Sequence, residues 1–284
     1  MKNLVRSEFR KIFTTNIWWA FLVSVLVLAA VSFAFNALQA HSILHAPEPA
    51  LPPGTSPDQQ QQIRAAYDAR KNLPVQAANL YTSGQYFGLL FVLLLGILVV
   101  TNEYFHQTAT ATFLATPQRT RVIAGKLLAT IVSAAVLCVG LTVLAVIAGV
   151  IFLQIDGETF ALTDPAVVRA LLLNLLAYGI WAVFGVGFGT LIRNQLAAVI
   201  VALALYLVAS QVAAAIISLV SLLTHADWVM KLAVLVPSVA SSLMITGGDI
   251  PGNPPQWLGA VILVAYAVAA GTIGTLLTRS RDIG

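Results

Sequence analysis

The sequence predicts an all-α integral membrane protein with six transmembrane helices. It adds an N-terminal interfacial helix and a re-entrant or interfacial helix pair between helices 5 and 6. Three observations carry this. The 284 residues are 59% hydrophobic and 9% charged, with a mean hydropathy of +0.89, whereas soluble domains carry about 25% charged residues. Apolar runs recur at lengths suited to the roughly 20 residues a helix needs to cross a bilayer, and they far exceed the roughly 10-residue alternating strands of an outer-membrane barrel. Basic residues also gather on one side of the resulting topology. The whole chain, 1–284, reads as a single transmembrane domain.

Residues 1–16 open the chain. Val5, Phe9, Ile12 and Phe13 fall on one side of a helix, while Lys2, Arg6 and Arg10 recur on another. This pattern suits a helix lying in the membrane interface, or a solvated basic leader that orients the first span. The first span is about 17–38, with Trp18 and Trp19 as interface anchors. Its apolar core exceeds a signal peptide's 7–15-residue apolar region, which favours an uncleaved anchor.

Residues 39–82 form the largest polar segment, a loop outside the cytoplasm. Its Pro-rich part, APEPALPPGTSP, cannot be regular helix, and its Gln-rich part, DQQQQIRAAYDARKNL, suits a short surface helix. His41 and His45 stand four apart. No third ligand is evident near them, so they read as solvated loop residues and no metal site is expected.

The second span is about 84–102. The polar stretch 103–126 follows, with Glu103, Arg119, Arg121 and Lys126. Within it, Thr108–Phe113 alternates polar and apolar residues, but an isolated strand at a membrane surface would expose its edges, so a short helix and turn is preferred. Spans three to six are about 127–153, 167–192, 195–223 and 257–278. In the fourth, Gly185 and Gly189 lie one turn apart on one face, which allows close helix packing. Between the fifth and sixth, Trp228–Val236 and Ser238–Ile245 are each too short to span and are split by Pro237, hence the re-entrant or interfacial pair.

Six spans put both termini on one side. That side holds Lys2, Arg6, Arg10, Lys11, Arg119, Arg121, Lys126, Arg193, Arg279 and Arg281, against Arg64, Arg70, Lys71, Arg169 and Lys231 opposite. The bias places both termini and the 103–126 stretch in the cytoplasm. The single cysteine, Cys138, excludes a disulfide framework within the chain. Neither H-E-x-x-H, C-x-x-C nor G-x-S-x-G occurs, so the chain is not expected to be an enzyme. It also lacks a G-x-x-x-x-G-K-[ST] loop for nucleotide. The net charge of +4 is explained by helix-end basic residues rather than by nucleic acid.

The stretch between spans two and three reads E-Y-x-x-x-T from Glu103, L-x-x-P-x-R from Leu114, and G-K at Gly125-Lys126. It resembles the cytoplasmic connection of ABC-2-type transporter permeases, with Phe105 where a basic residue is common and Gln107 where glycine is common. The run G-T-L-I-R-N-Q-L-A-A (Gly189–Ala198), after a glycine-rich helix end, is similar to a second stretch of that family. The resemblance implies a permease subunit of an ATP-driven ABC exporter in the bacterial cytoplasmic membrane. Its substrate would be a small hydrophobic or amphipathic compound, drug-like or lipid. ATP and Mg would sit on two separate ATPase subunits, and a second permease copy or paralogue would complete a homo- or heterodimer.

Coupling to the ATPase would fall to Glu103, Tyr104, His106, Thr108, Pro117, Arg119, Arg121 and Lys126, with Arg6 and Arg10 of the interfacial helix. Glu103 would pair with a basic group of the ATPase or with Arg119 or Arg121. The substrate path would be lined by Tyr86, Phe87 and Phe91 of helix 2 and Tyr206, Ser210 and Gln211 of helix 5. The alternative is a membrane-embedded assembly or immunity protein without transport.

Overall fold

In a computed structural model the protein is all-α. The structure describes residues 2–14, 17–49, 51, 54–108, 110, 112, 114, 118–192, 194–224, 227–246 and 254–280. Among the described residues, six helical segments are long and apolar enough to cross a membrane.

Helix α1 (Lys2–Thr14) precedes the first crossing, α2 (Ile17–Leu44). The second crossing is built from two pieces: α4 (Leu73–Tyr81) and α5 (Gln85–Phe105), joined by a turn at Thr82–Gly84. Then come α6 (Arg119–Ile155), α7 (Pro165–Leu191) and a fifth crossing from Gln195 to Thr224. That crossing consists of α8 (Gln195–Leu203), a π-helical turn at Ala204–Ala209 and α9 (Ser210–Thr224). After α10 (Asp227–Lys231), a 3₁₀ turn (Leu232–Leu235) and α11 (Pro237–Met244), the last crossing is α12 (Gln256–Ser280).

Several boundaries extend the sequence reading. The first crossing runs six residues past Leu38, and α6 begins at Arg119 rather than at 127. The segment 39–82 is less a loop than expected. Its Gln-rich part is α3 (Pro57–Lys71), started by a Ser56–Gln59 capping box. Its last part, α4, is buried in the body of the protein. Pro74 in the first turn of α4 and the polar Gln76 and Asn79 lower its hydropathy, although Gln76 donates to the Arg70 carbonyl at 2.6 Å and so is satisfied while buried.

The centre of the bundle is the α4–α5 crossing, the most buried of the six, with α7 against it. Glycines set their separation. A Cβ on Gly96 would lie 2.7 Å from the Gly185 backbone, and one on Gly189 would lie 3.0 Å from Ile97. The two backbones therefore touch, as small residues in membrane helices permit. On its other side α7 meets α12, where a Cβ on Gly187 would fall 2.8 Å from the Ala270 backbone. The α2 and Gln195–Thr224 crossings are the least buried and present apolar faces outward. The short helices α10 and α11 cover one end of the bundle. There Trp181 Nε1 donates to Ser241 Oγ at 2.9 Å and Tyr266 donates to the Leu235 carbonyl at 2.9 Å.

Candidate functional site: a buried charge cluster joining three helices

The opposite end is built around four charged side chains. Glu8 and Lys11 come from α1, Glu103 from the last turn of α5, and Lys126 from two turns into α6. Lys11 Nζ lies 2.6 Å from Glu8 and 2.6 Å from Glu103, and Lys126 Nζ lies 3.1 Å and 2.9 Å from the same two carboxylates. The result is a closed, neutral ring. Glu8, Glu103 and Lys126 are buried, and Lys11 is half-exposed.

Burial of unpaired charge is prohibitive, so the ring has to be complete. Lys126 is satisfied by both acids and by the Val99 carbonyl at 2.8 Å, which matches its three N–H donors. Glu103 stands at the C-terminus of α5, where the helix dipole opposes a negative charge. Two ammonium groups offset that. Partial burial by itself lowers the pKa of Lys11, but its hydrogen bonds to Glu103 and Glu8 outweigh this and hold it above its ordinary value of 10.5.

The local backbone explains the rest of the stretch. Thr108 N–H donates to the Glu103 carbonyl at 2.8 Å and Gln107 N–H to that of Tyr104 at 3.3 Å, with Gln107 at φ +56°. This is a Schellman ending, whose left-handed position favours glycine. Gly125, just before Lys126, leaves space for α1: a Cβ there would lie 2.6 Å from Leu4. The second sequence motif arrives at the same end. Asn194 caps α8 by accepting from the Ala197 N–H at 3.0 Å, and Gln195 donates to Asn102 Oδ1 at 2.9 Å, next to Glu103. Two stretches some ninety residues apart thus meet at the end of α5, which also bears Glu103 of the ring.

Among the described residues, the other expected coupling residues share a helix with the ring residues or follow them closely in the chain. Arg6, Arg10, His106, Thr108 and Arg121 are exposed, and Tyr104 is half-buried. Pro117 and the side chain of Arg119 lie outside the described residues, as do Ala109, Ala111 and Phe113 of the Thr108–Phe113 run. Glu103 pairs with Lys11 and Lys126, where the sequence reading had placed Arg119, Arg121 or an ATPase group.

The expected path residues divide into two groups. Tyr206 donates to the Tyr86 carbonyl at 2.6 Å, its ring stands 5.1 Å from those of Tyr86 and Trp181, and Ser210 is buried beside it. Tyr206 lies in the π-helical turn, a distortion that often marks a functional position. Phe87 packs edge-on against Tyr86, and Gln211 is exposed. Phe91 points elsewhere, against Phe21. Together these two rings line an apolar cleft of about 600 Å³ between α1, α2, α5 and α6, with Glu8, Lys11 and Glu103 at its polar end.

Sequence reasoning missed Glu8, Lys11 and this cleft. One signal was present: Glu8 lies among Val5, Phe9 and Ile12, an acid on the apolar face of an amphipathic helix. It also left His41 and His45 without a third ligand. Asp156, 115 positions beyond His41, corrects that by lying against both rings.

Residues 64–284 match the model of a family described as "Protein of unknown function (DUF2705)". Among curated proteins, none matches the chain.

Proposed function

The chain belongs to the DUF2705 family of proteins of unknown function, and within it we propose that the protein is the permease subunit of an ATP-driven exporter of the ABC-2 type. It would move a small hydrophobic or amphipathic compound, drug-like or lipid, out across a bacterial cytoplasmic membrane. Both termini would lie in the cytoplasm, and ATP and Mg would be bound by two separate ATPase subunits. A second permease copy or paralogue would pack against the apolar outer helices.

The observation that carries this reading is the joining of α1, the last turn of α5 and the start of α6 by one buried charge ring, with the start of α8 bonded to Asn102 beside it. An exporter driven by a separate ATPase needs a rigid link from a cytoplasmic docking surface to the spans. The ring supplies one. A push on α1 or on the start of α6 passes through Lys11 and Lys126 to α5, the most buried crossing. Coupling of this kind requires two states with different contacts. The apolar cleft beside α5 would change shape as that helix moves, and it suits a hydrophobic cargo.

The test is purification from the native membrane in mild detergent, with the partners identified. A stoichiometric P-loop ATPase is expected. In that complex Glu103→Gln should cut substrate-stimulated ATP hydrolysis by about fivefold or more, the low end of typical coupling energies, with the ATPase still bound. A chain that purifies alone, or with a partner that is not an ATPase, overturns the proposal and favours the assembly or immunity reading.

A further inference from the structure

At the far end of the bundle from the charge ring, α2 ends beside the turn after α6. His41 Nδ1 lies 2.5 Å from Asp156 Oδ1, and His45 Nδ1 lies 3.7 Å from Asp156 Oδ2. The two imidazole centroids stand 4.5 Å apart with the rings tilted by 36°, and one ligand atom from each of the three residues lies within 4.8 Å of the others. We propose that His41, His45 and Asp156 form a binding site for a divalent transition-metal ion of the zinc class, in which the ion fastens the end of α2 to the α6–α7 connection.

Several independent features support it. The Asp156 side chain is only 8% exposed, and its Oδ2 is buried and accepts no hydrogen bond among the described residues. A buried carboxylate oxygen without a donor is costly, and a metal ion removes that cost. Asp156 is also held in place. It caps α6 in a Schellman ending, with Gly157 at φ +81° and Glu158 N–H donating to the Leu153 carbonyl at 2.9 Å. Nearby, Tyr81 donates to the Phe160 carbonyl and fixes the same connection to α4.

The histidines sit on a braced helix end. Tyr67 and Lys71 of α3 donate to the Ala46 carbonyl at 2.7 Å and 3.3 Å. The rings themselves are half-exposed and have room to turn onto an ion. His45 Nδ1 stands 3.1 Å from the His41 carbonyl. Donation to that carbonyl leaves Nε2 as the base, the arrangement that commonly orients a metal-bound histidine.

Two imidazoles and one carboxylate form a borderline-soft nitrogen and oxygen set that suits zinc, with the fourth position left to water. On binding, the ion takes the place of the His41–Asp156 hydrogen bond, and the proton of that bond passes to solvent. Helix α2 is the least buried crossing, so a clamp at its end acts where packing is thinnest. With 28 residues at about 1.5 Å each, α2 exceeds the roughly 30 Å of hydrocarbon and can hold the site clear of it. This inference stands on local geometry and does not depend on the transport reading.

The experiment uses the full chain, purified without a histidine tag and stripped with chelator, titrated with Zn²⁺ by calorimetry and with Co²⁺ by visible absorption. One equivalent of each ion is expected, with a tetrahedral Co²⁺ spectrum. His41→Ala, His45→Ala and Asp156→Asn should each weaken binding about tenfold or more, while Asp58→Asn, an exposed acid on α3, should not. A measurement without substitution accompanies it: Zn²⁺ should protect His41 and His45 from diethylpyrocarbonate, read by mass spectrometry. No stoichiometric binding by the unaltered protein, equal binding by all variants, or unprotected histidines would overturn the proposal.

Discussion

Lys126 shows how much of the site rests on one side chain. It touches Glu8, Glu103 and the Val99 carbonyl, and removing it leaves two buried carboxylates facing a single ammonium. Lys126→Met should therefore destabilise the protein by about 3–5 kcal/mol, the usual cost of breaking a buried pair on one side. Adding Glu8→Gln restores the balance of charge, so the double variant should be more stable than the sum of the two single losses predicts, by about 1 kcal/mol or more. Thermal unfolding in detergent reads both effects, and strict additivity would show that the ring is not a coupled unit. At this scale the sequence was partly legible. Glu103 and Lys126 stood out as charges flanking apolar runs, but their partners could not be found. Lys11 looks like any basic residue near a membrane until α1 folds back across α6.

At the scale of elements, α7 is shaped by what it touches on each side. Its Gly185 and Gly189 meet α5 while Gly187 meets α12, so neither face tolerates added volume. Gly185→Val would push a side chain into the Leu93 carbonyl, 2.5 Å from where its Cβ would stand. Overpacking of this kind costs about 1–3 kcal/mol. A Cβ on Gly179 of the same helix meets nothing within 4 Å, so Gly179→Ala should leave stability unchanged or slightly raised. Equal thermal stability of the two variants would refute the close α5–α7 crossing. The glycine spacing announced a packing face, but the partner helix was not readable. The π-helical turn at Ala204–Ala209 gave no signal in sequence either, since its residues are ordinary apolar ones that a regular helix would accept.

At the scale of the whole molecule, the prediction concerns sidedness. Cys138, the single native cysteine, is buried, so introduced cysteines can be read against a quiet background. On the proposed topology, a cysteine at Gln61 on the exposed face of α3 should label from outside intact cells with a membrane-impermeant reagent. One at Gln118 should label only after permeabilisation. The reverse pattern would invert the molecule and, with it, the assignment of the charge ring to the cytoplasmic end.

The number of crossings, the amphipathic pattern of α1 and the short helices before α12 were determined by the sequence alone. The physical reason is that each depends on local quantities: the length of an apolar run, the side on which charges recur, and a proline that stops a helix. Tertiary structure decided which faces meet. It set Glu8 and Lys11 beside Glu103 and Lys126, and placed Asp156 on the two histidines at the end of α2. It also drew α4 out of the loop into the core. These are contacts between residues far apart in the chain, and helical periodicity says where a face is, while only packing says what lies against it.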